Sequence, residues 1–200
     1  WGMSRKECII LCLCSFIFFF SALTLYFPRG LAFSSPLGEH FWYPVLLQPD
    51  EAVNYFFTRA HVTDGVYRVT ETLSSFTNNQ LHPRSTTVVY GALTPICFPG
   101  FIGILSLFCS MAVFLFGDYF FPYAAIIFIP TLGAIFPWLV YGVAWRLFYS
   151  RQAAYYAALL SYTVPAWWYW SARSLQHSVL FVFCLFAGLY MILRAKETKE

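Results

Sequence analysis

The chain has 200 residues, of which 60% are hydrophobic and 10% charged, with a formal net charge of +3. A water-soluble domain of this size has about 25% charged residues, so the solvent this composition suits is a lipid bilayer. The small, scattered positive balance, with no Lys/Arg-rich tract and no glycine-rich phosphate loop, excludes nucleic-acid binding.

Residues 1–27 open with Arg5 and Lys6, followed by an uncharged run from Cys8 to Phe27. That run is longer than the apolar core of a cleavable signal peptide and predicts a retained membrane anchor with a cytoplasmic N-terminus. Trp1 and Gly2 stand before the first methionine, Met3, as at a fragment boundary or a tag remnant.

Residues 28–98 form the polar part of the chain and are expected on the extracytoplasmic side, lumenal or periplasmic. They hold five of the nine acidic residues: Glu39, Asp50, Glu51, Asp64 and Glu71. Pro49 suits a first helical position, and Asp50 and Glu51 then fall in the first turn, where carboxylates meet the positive end of the helix dipole. Helical spacing puts Val53, Phe56, Phe57 and Ala60 on one face and Asp50, Asn54, Thr58 and His61 on the other, predicting an amphipathic helix along the membrane surface. Its polar face would meet the headgroup of a lipid-linked substrate, although acids at a helix start serve equally well as caps. Thr63, Asp64 and Gly65 read as a turn. At the end of the loop, His82 and Arg84 reach the edge of an uncharged run, where a cation either binds phosphate or anchors the chain at the interface.

Five uncharged runs are long enough to cross ~30 Å of hydrocarbon. The one from Ser85 to Gly117 is broken by Gly91, Pro95, Pro99, Gly100 and Gly103, so residues 99–117 are expected to form a membrane-embedded or interfacial helix. Basic residues at Arg5–Lys6, Arg146–Arg151 and Arg194–Lys199 mark three cytoplasmic points. Residues 118–200 then supply three transmembrane helices, at Tyr119–Trp145, Gln152–Ala172 and Ser174–Leu193. With the first run, this gives an all-α integral membrane protein of about four spans. Trp42–Tyr43 and Trp167–Trp170 fall at the outer interface, as an aromatic belt would.

The outer turn between the last two spans carries Arg173 and His177. An ionisable group at the start of an apolar helix is a functional candidate, though a lone histidine is more often a satisfied polar contact. Cys8, Cys12, Cys14, Cys109 and Cys184 sit inside apolar runs and Cys97 alone lies near a polar segment, which supports neither a disulfide framework nor a zinc site.

An anchor followed by an outer loop with Pro49-Asp50-Glu51 opening a surface helix, Tyr55, Ala60 and Gly65 after it, resembles the GT-C membrane glycosyltransferases, especially the protein O-mannosyltransferase and aminoarabinose-transferase branches. Phe98-Pro99-Gly100 through Leu115-Phe116-Gly117, Arg146-Leu147-Phe148 with Arg151, and Ser171-Ala172-Arg173 extend the resemblance over nearly the whole chain as an N-terminal portion. It implies sugar transfer from a polyprenyl-phosphate donor to a hydroxyl of a protein or glycan acceptor. Asp50 would be the loop acid of the active site, with Glu51 beside it, as catalytic base or as ligand of a divalent cation such as Mg or Mn. His177 stands where the family often has a second acid. His82, Arg84, Asn54 and Arg173 would contact the donor and its phosphate. Members usually carry more spans, so a further membrane chain or segment would complete the fold. The alternative is a non-catalytic membrane subunit, or a truncated fragment, that scaffolds a partner or binds lipid.

Overall fold

A computed structural model of the protein describes residues 3–24, 30–34, 40–44, 46, 48–70, 84–96, 98–172 and 175–197. The elements in chain order are α1 (Arg5–Thr24), β1 (Gly30–Ser34), β2 (His40–Pro44), α2 (Pro49–Asp64), β3 (Val69–Thr70), β4 (Thr86–Val89), β5 (Ala92–Pro95), α3 (Pro99–Phe116), a 3-10 turn (Asp118–Phe120), α4 (Phe121–Phe148), α5 (Arg151–Ser161), α6 (Pro165–Ser171) and α7 (His177–Glu197).

Among the described residues, four helices are long and apolar enough to cross a membrane: Arg5–Thr24, Pro99–Phe116, Asp118–Phe148 and His177–Glu197. The number matches the expectation, but one member differs. Residues 99–116 form an unbroken helix of 18 residues, because Pro99 sits at the first position, where its missing N–H leaves no bond unmade, and the two glycines are tolerated by flanking apolar turns. The expected span at 152–172 is instead two short helices, α5 of 11 residues and α6 of 7. Pro165 causes the break, since it disfavours helical geometry at Val164, which is extended at ψ 114. Pro130 and Pro137 both lie inside the 28-residue α4 without ending it.

The helical expectation omitted two small antiparallel sheets. β1 pairs with β2, and the order in the second sheet is β3-β5-β4. The β4–β5 hairpin closes through Tyr90 and Gly91, at φ +51 and +74, a two-residue turn whose positive angles follow the twist of the strands and favour glycine at its second position.

The chain divides into two compact units: residues 1–28, 129–173 and 178–200 in one, and residues 29–128 with 174–177 in the other. In the first unit, Ser15 on α1 sits at the centre of a polar knot. Its hydroxyl donates to the Ala134 carbonyl at 3.0 Å and lies 2.5 Å from the Tyr162 hydroxyl. The Trp138 indole N–H donates to the same Ser15 oxygen at 2.9 Å. Trp167 donates to the Gly133 carbonyl at 3.1 Å and packs on Phe136 with ring centroids 4.1 Å apart, so this tryptophan of the expected aromatic belt is a core residue. Two ion pairs also belong to this unit, Arg151–Glu7 at 2.7 Å and Arg146–Glu197 at 3.3 Å, and Arg146 also lies 4.4 Å above the Tyr190 ring. Cys8, Cys12, Cys14, Cys109 and Cys184 are free thiols.

The second unit is built on α2. Val53 and Phe57 pack with Leu93 of β5 and Ile102 of α3, flanked by Val69 and Val88. On another side, the Tyr55 ring meets Phe121 at 5.3 Å, and the Arg59 guanidinium lies 5.9 Å from the same ring. With α2 covered on both sides, its polar stripe is turned inward: Asn54 and Thr58 are buried, at 1% and 0% exposure, while Phe56 is 46% exposed. The periodicity located the two faces, and tertiary packing buried much of both, Val53, Phe57 and Ala60 on one and Asn54 and Thr58 on the other.

Candidate functional site

The candidate residues converge at the N-terminal end of α2. Gln48 precedes the helix in extended conformation, and the Glu51 carboxylate accepts the Gln48 backbone N–H at 3.3 Å. This reciprocal capping geometry draws Glu51 back against its own helix, where it is 2% exposed. Asp50, one residue earlier, takes its bond from the hairpin instead.

The β4–β5 hairpin delivers the facing wall. Ser85 adopts φ +67 just before β4, and its carbonyl accepts the Ile96 N–H at 3.0 Å, closing the base of the hairpin. Its hydroxyl donates to Asp50 Oδ1. Arg84, exposed and next in sequence, stands beside this bond. Gln48, Pro49, Asp50 and Arg84 line a cleft of about 290 Å³. Pro49 and Arg84 also border a second, apolar groove of about 390 Å³, whose walls include Val53, Phe56, Phe57 and Leu93. A polar cleft and an apolar groove thus meet at one cation, in the size range of small-molecule sites.

A third segment completes the neighbourhood. Leu175 is fully buried at φ +64, and its carbonyl accepts the Asn54 side-chain amide at 2.7 Å. Gln176, 3% exposed, donates its amide to Gln48 Oε1 at 2.6 Å. His177 follows, with its ring 4.2 Å from that of Phe98; its Nδ1 is buried with no hydrogen-bond partner among the described residues.

Of the sequence candidates, Asp50 and Arg84 share one cleft, Glu51 and Asn54 lie buried in the helix that bears it, and His177 sits one residue from a direct contact with the cleft wall. His82 and Arg173 lie outside the described residues. Sequence reasoning assigned no role to Gln48, Ser85 or Gln176. A signal existed for the glutamines, since neutral amides at the margins of apolar runs need partners once buried. Nothing in the sequence singled out Ser85, whose role depends on a hairpin bringing it to a helix 35 residues earlier.

No cluster of three or more His, Cys, Asp or Glu forms among the described residues, and we route no chemistry through a metal.

No family model matches the chain, no curated protein matches it, and no solved structure does.

Proposed function

We propose that the chain is a membrane glycosyltransferase module that takes a sugar from a polyprenyl-phosphate donor to a hydroxyl acceptor, at the cleft formed by Asp50 and Arg84 on the extracytoplasmic side. The observation that carries the reading is the meeting of the apolar groove with the polar cleft at Arg84. Such a pair of spaces suits an amphiphile with an apolar chain and an anionic head. The four membrane-competent helices support a bilayer as the source of that amphiphile.

In this reading the groove along Phe56, Phe57 and Leu93 takes the chain next to the phosphate, and the Arg84 guanidinium offsets the charge that grows on the phosphate as the glycosidic bond breaks. Asp50 accepts the proton of the attacking hydroxyl. The Ser85 hydroxyl, already donating to the Asp50 carboxylate, shows the kind of hydrogen bond an acceptor would make there. The sugar's anomeric carbon gains the acceptor oxygen and loses the phosphate oxygen, the proton passes to Asp50, and polyprenyl phosphate leaves as the anion. Asn54 and Glu51, both buried, support the site rather than touch the reacting atoms.

The test is release of prenyl phosphate from a short-chain prenyl-phosphate sugar by the protein in membranes. Arg84→Gln removes a charge-assisted contact and raises the donor KM about tenfold or more. An unchanged KM in Arg84→Gln would discard this cleft as the donor site.

A further inference from the structure

The turn at residues 175–177 is held in place by an arrangement that ordinary packing does not require. A leucine in the left-handed region is costly and persists only where its surroundings fix it. Leu175 is in that region at φ +64 and is fully buried. Two amides pin it from either side. Asn54, in the second turn of α2, donates to the Leu175 carbonyl at 2.7 Å in a buried bond. Gln176 donates to Gln48 at 2.6 Å, and Gln48 is itself a wall of the Asp50–Arg84 cleft. The Phe98 ring covers the imidazole that follows, 4.2 Å away.

From this we infer that Asn54, Gln176 and Gln48 form an amide clamp that holds the turn leading into His177 against the start of α2, whose first residues line the Asp50–Arg84 cleft. The clamp forces the backbone reversal at Leu175, and the reversal decides where the next two side chains project. Gln176 returns to the helix start, and His177 lies against Phe98 with a buried Nδ1 that has no hydrogen-bond partner among the described residues. These are positioning residues acting through His177. Their effect on transfer rests on the function proposed above, whereas the clamp itself rests on geometry alone.

The experiment reads His177 directly. Full-length protein in membranes is treated with diethyl pyrocarbonate, and carbethoxylation at His177 is followed by mass spectrometry, with His61 as the internal reference. His61 belongs to the same unit but stacks on Tyr67 at 4.0 Å, away from the clamp. Asn54→Leu and Gln176→Met keep side-chain size while removing the amides. Each is expected to raise the His177 modification rate about fivefold, the equivalent of one lost hydrogen bond, with His61 unchanged. In the transfer assay the same variants lower kcat and leave the donor KM within about twofold, because the donor contacts at Arg84 are intact. Unchanged His177 reactivity in both variants overturns the inference. Equal acceleration at His61 and His177 also overturns it, since the amides would then hold up the whole unit rather than the turn. Selective exposure of His177 in a protein that transfers no sugar keeps the clamp and discards the glycosyltransferase reading.

Discussion

Asp50→Asn is expected to reduce sugar transfer by about 10² to 10⁴-fold, the usual contribution of a positioned general base, while the protein stays in the membrane at wild-type amounts. The contrast between effects on chemistry and on folding follows from the site. Asparagine keeps the size of the side chain and an oxygen that can still accept the Ser85 hydroxyl, so the wall between α2 and the hairpin survives. It cannot take up the proton of an attacking hydroxyl. The neighbouring acid makes the control: Glu51 is buried and accepts the Gln48 N–H, so Glu51→Met, which keeps the length but removes the acceptor, should lower stability by about 1 kcal/mol, as loss of a cap does, with little effect on turnover beyond that. Prenyl-phosphate release and thermal unfolding in the same membranes measure both. A fully active Asp50→Asn protein would remove Asp50 from the mechanism and leave the non-catalytic subunit as the better reading.

Gly133→Ala is expected to be clearly destabilising to the first unit. A Cβ at that position would lie 2.6 Å from Ser171 Oγ, 2.8 Å from Ser171 Cβ and 3.0 Å from the Phe18 ring. Ser171 Oγ can rotate but Ser171 Cβ is fixed to its own backbone and cannot swing away, and Phe18 is itself held between Tyr162 and Trp168. Overpacking of this kind costs about 1 to 3 kcal/mol, more than the helix propensity gained by replacing glycine. Gly188 on α7 is the matched control, because a Cβ there meets nothing within 4 Å; Gly188→Ala is expected to be neutral or slightly stabilising. Unfolding midpoints of the two variants decide the point, and equal behaviour would mean that α4 and α6 do not approach as closely as described.

The membrane character of the chain and the start of α2 were legible in the sequence, because both depend on local information. Hydropathy marks apolar runs whatever their tertiary setting, and Pro49 followed by two acids is a helix start wherever it occurs. What failed to show was anything decided by partners distant in sequence. The stripe Asn54, Thr58 and His61 read as a wet face, since periodicity reports two faces and says nothing about which one a neighbouring helix will cover. The run 152–172 read as one span because length counted for more than the local effect of Pro165 on the residue before it. The hairpin at 86–95 carried its signal in Tyr90–Gly91, but the surrounding apolar run masked it. The cleft itself joins the start of α2 to Arg84 at the hairpin base, and the Gln48–Gln176 contact that braces its wall spans 128 positions of chain, beyond the reach of spacing rules.

The bonds gathered at Ser15 bear on how the anchor is used. An ordinary leader helix serves by greasiness alone and is exchangeable for any other of equal length. Here α1 arrives with a hydroxyl that must find one carbonyl, one phenol and one indole, so its depth and rotation are specified. A chimera in which a generic polyleucine segment replaces residues 5–24 keeps the hydropathy of the helix, yet it would leave the Trp138 indole without its Ser15 acceptor and the Tyr162 hydroxyl with only the 3.4 Å contacts to the backbone carbonyls of residue 11 and Ala134. Targeting and assembly are therefore separable properties of this helix, and only the first is written in its hydropathy.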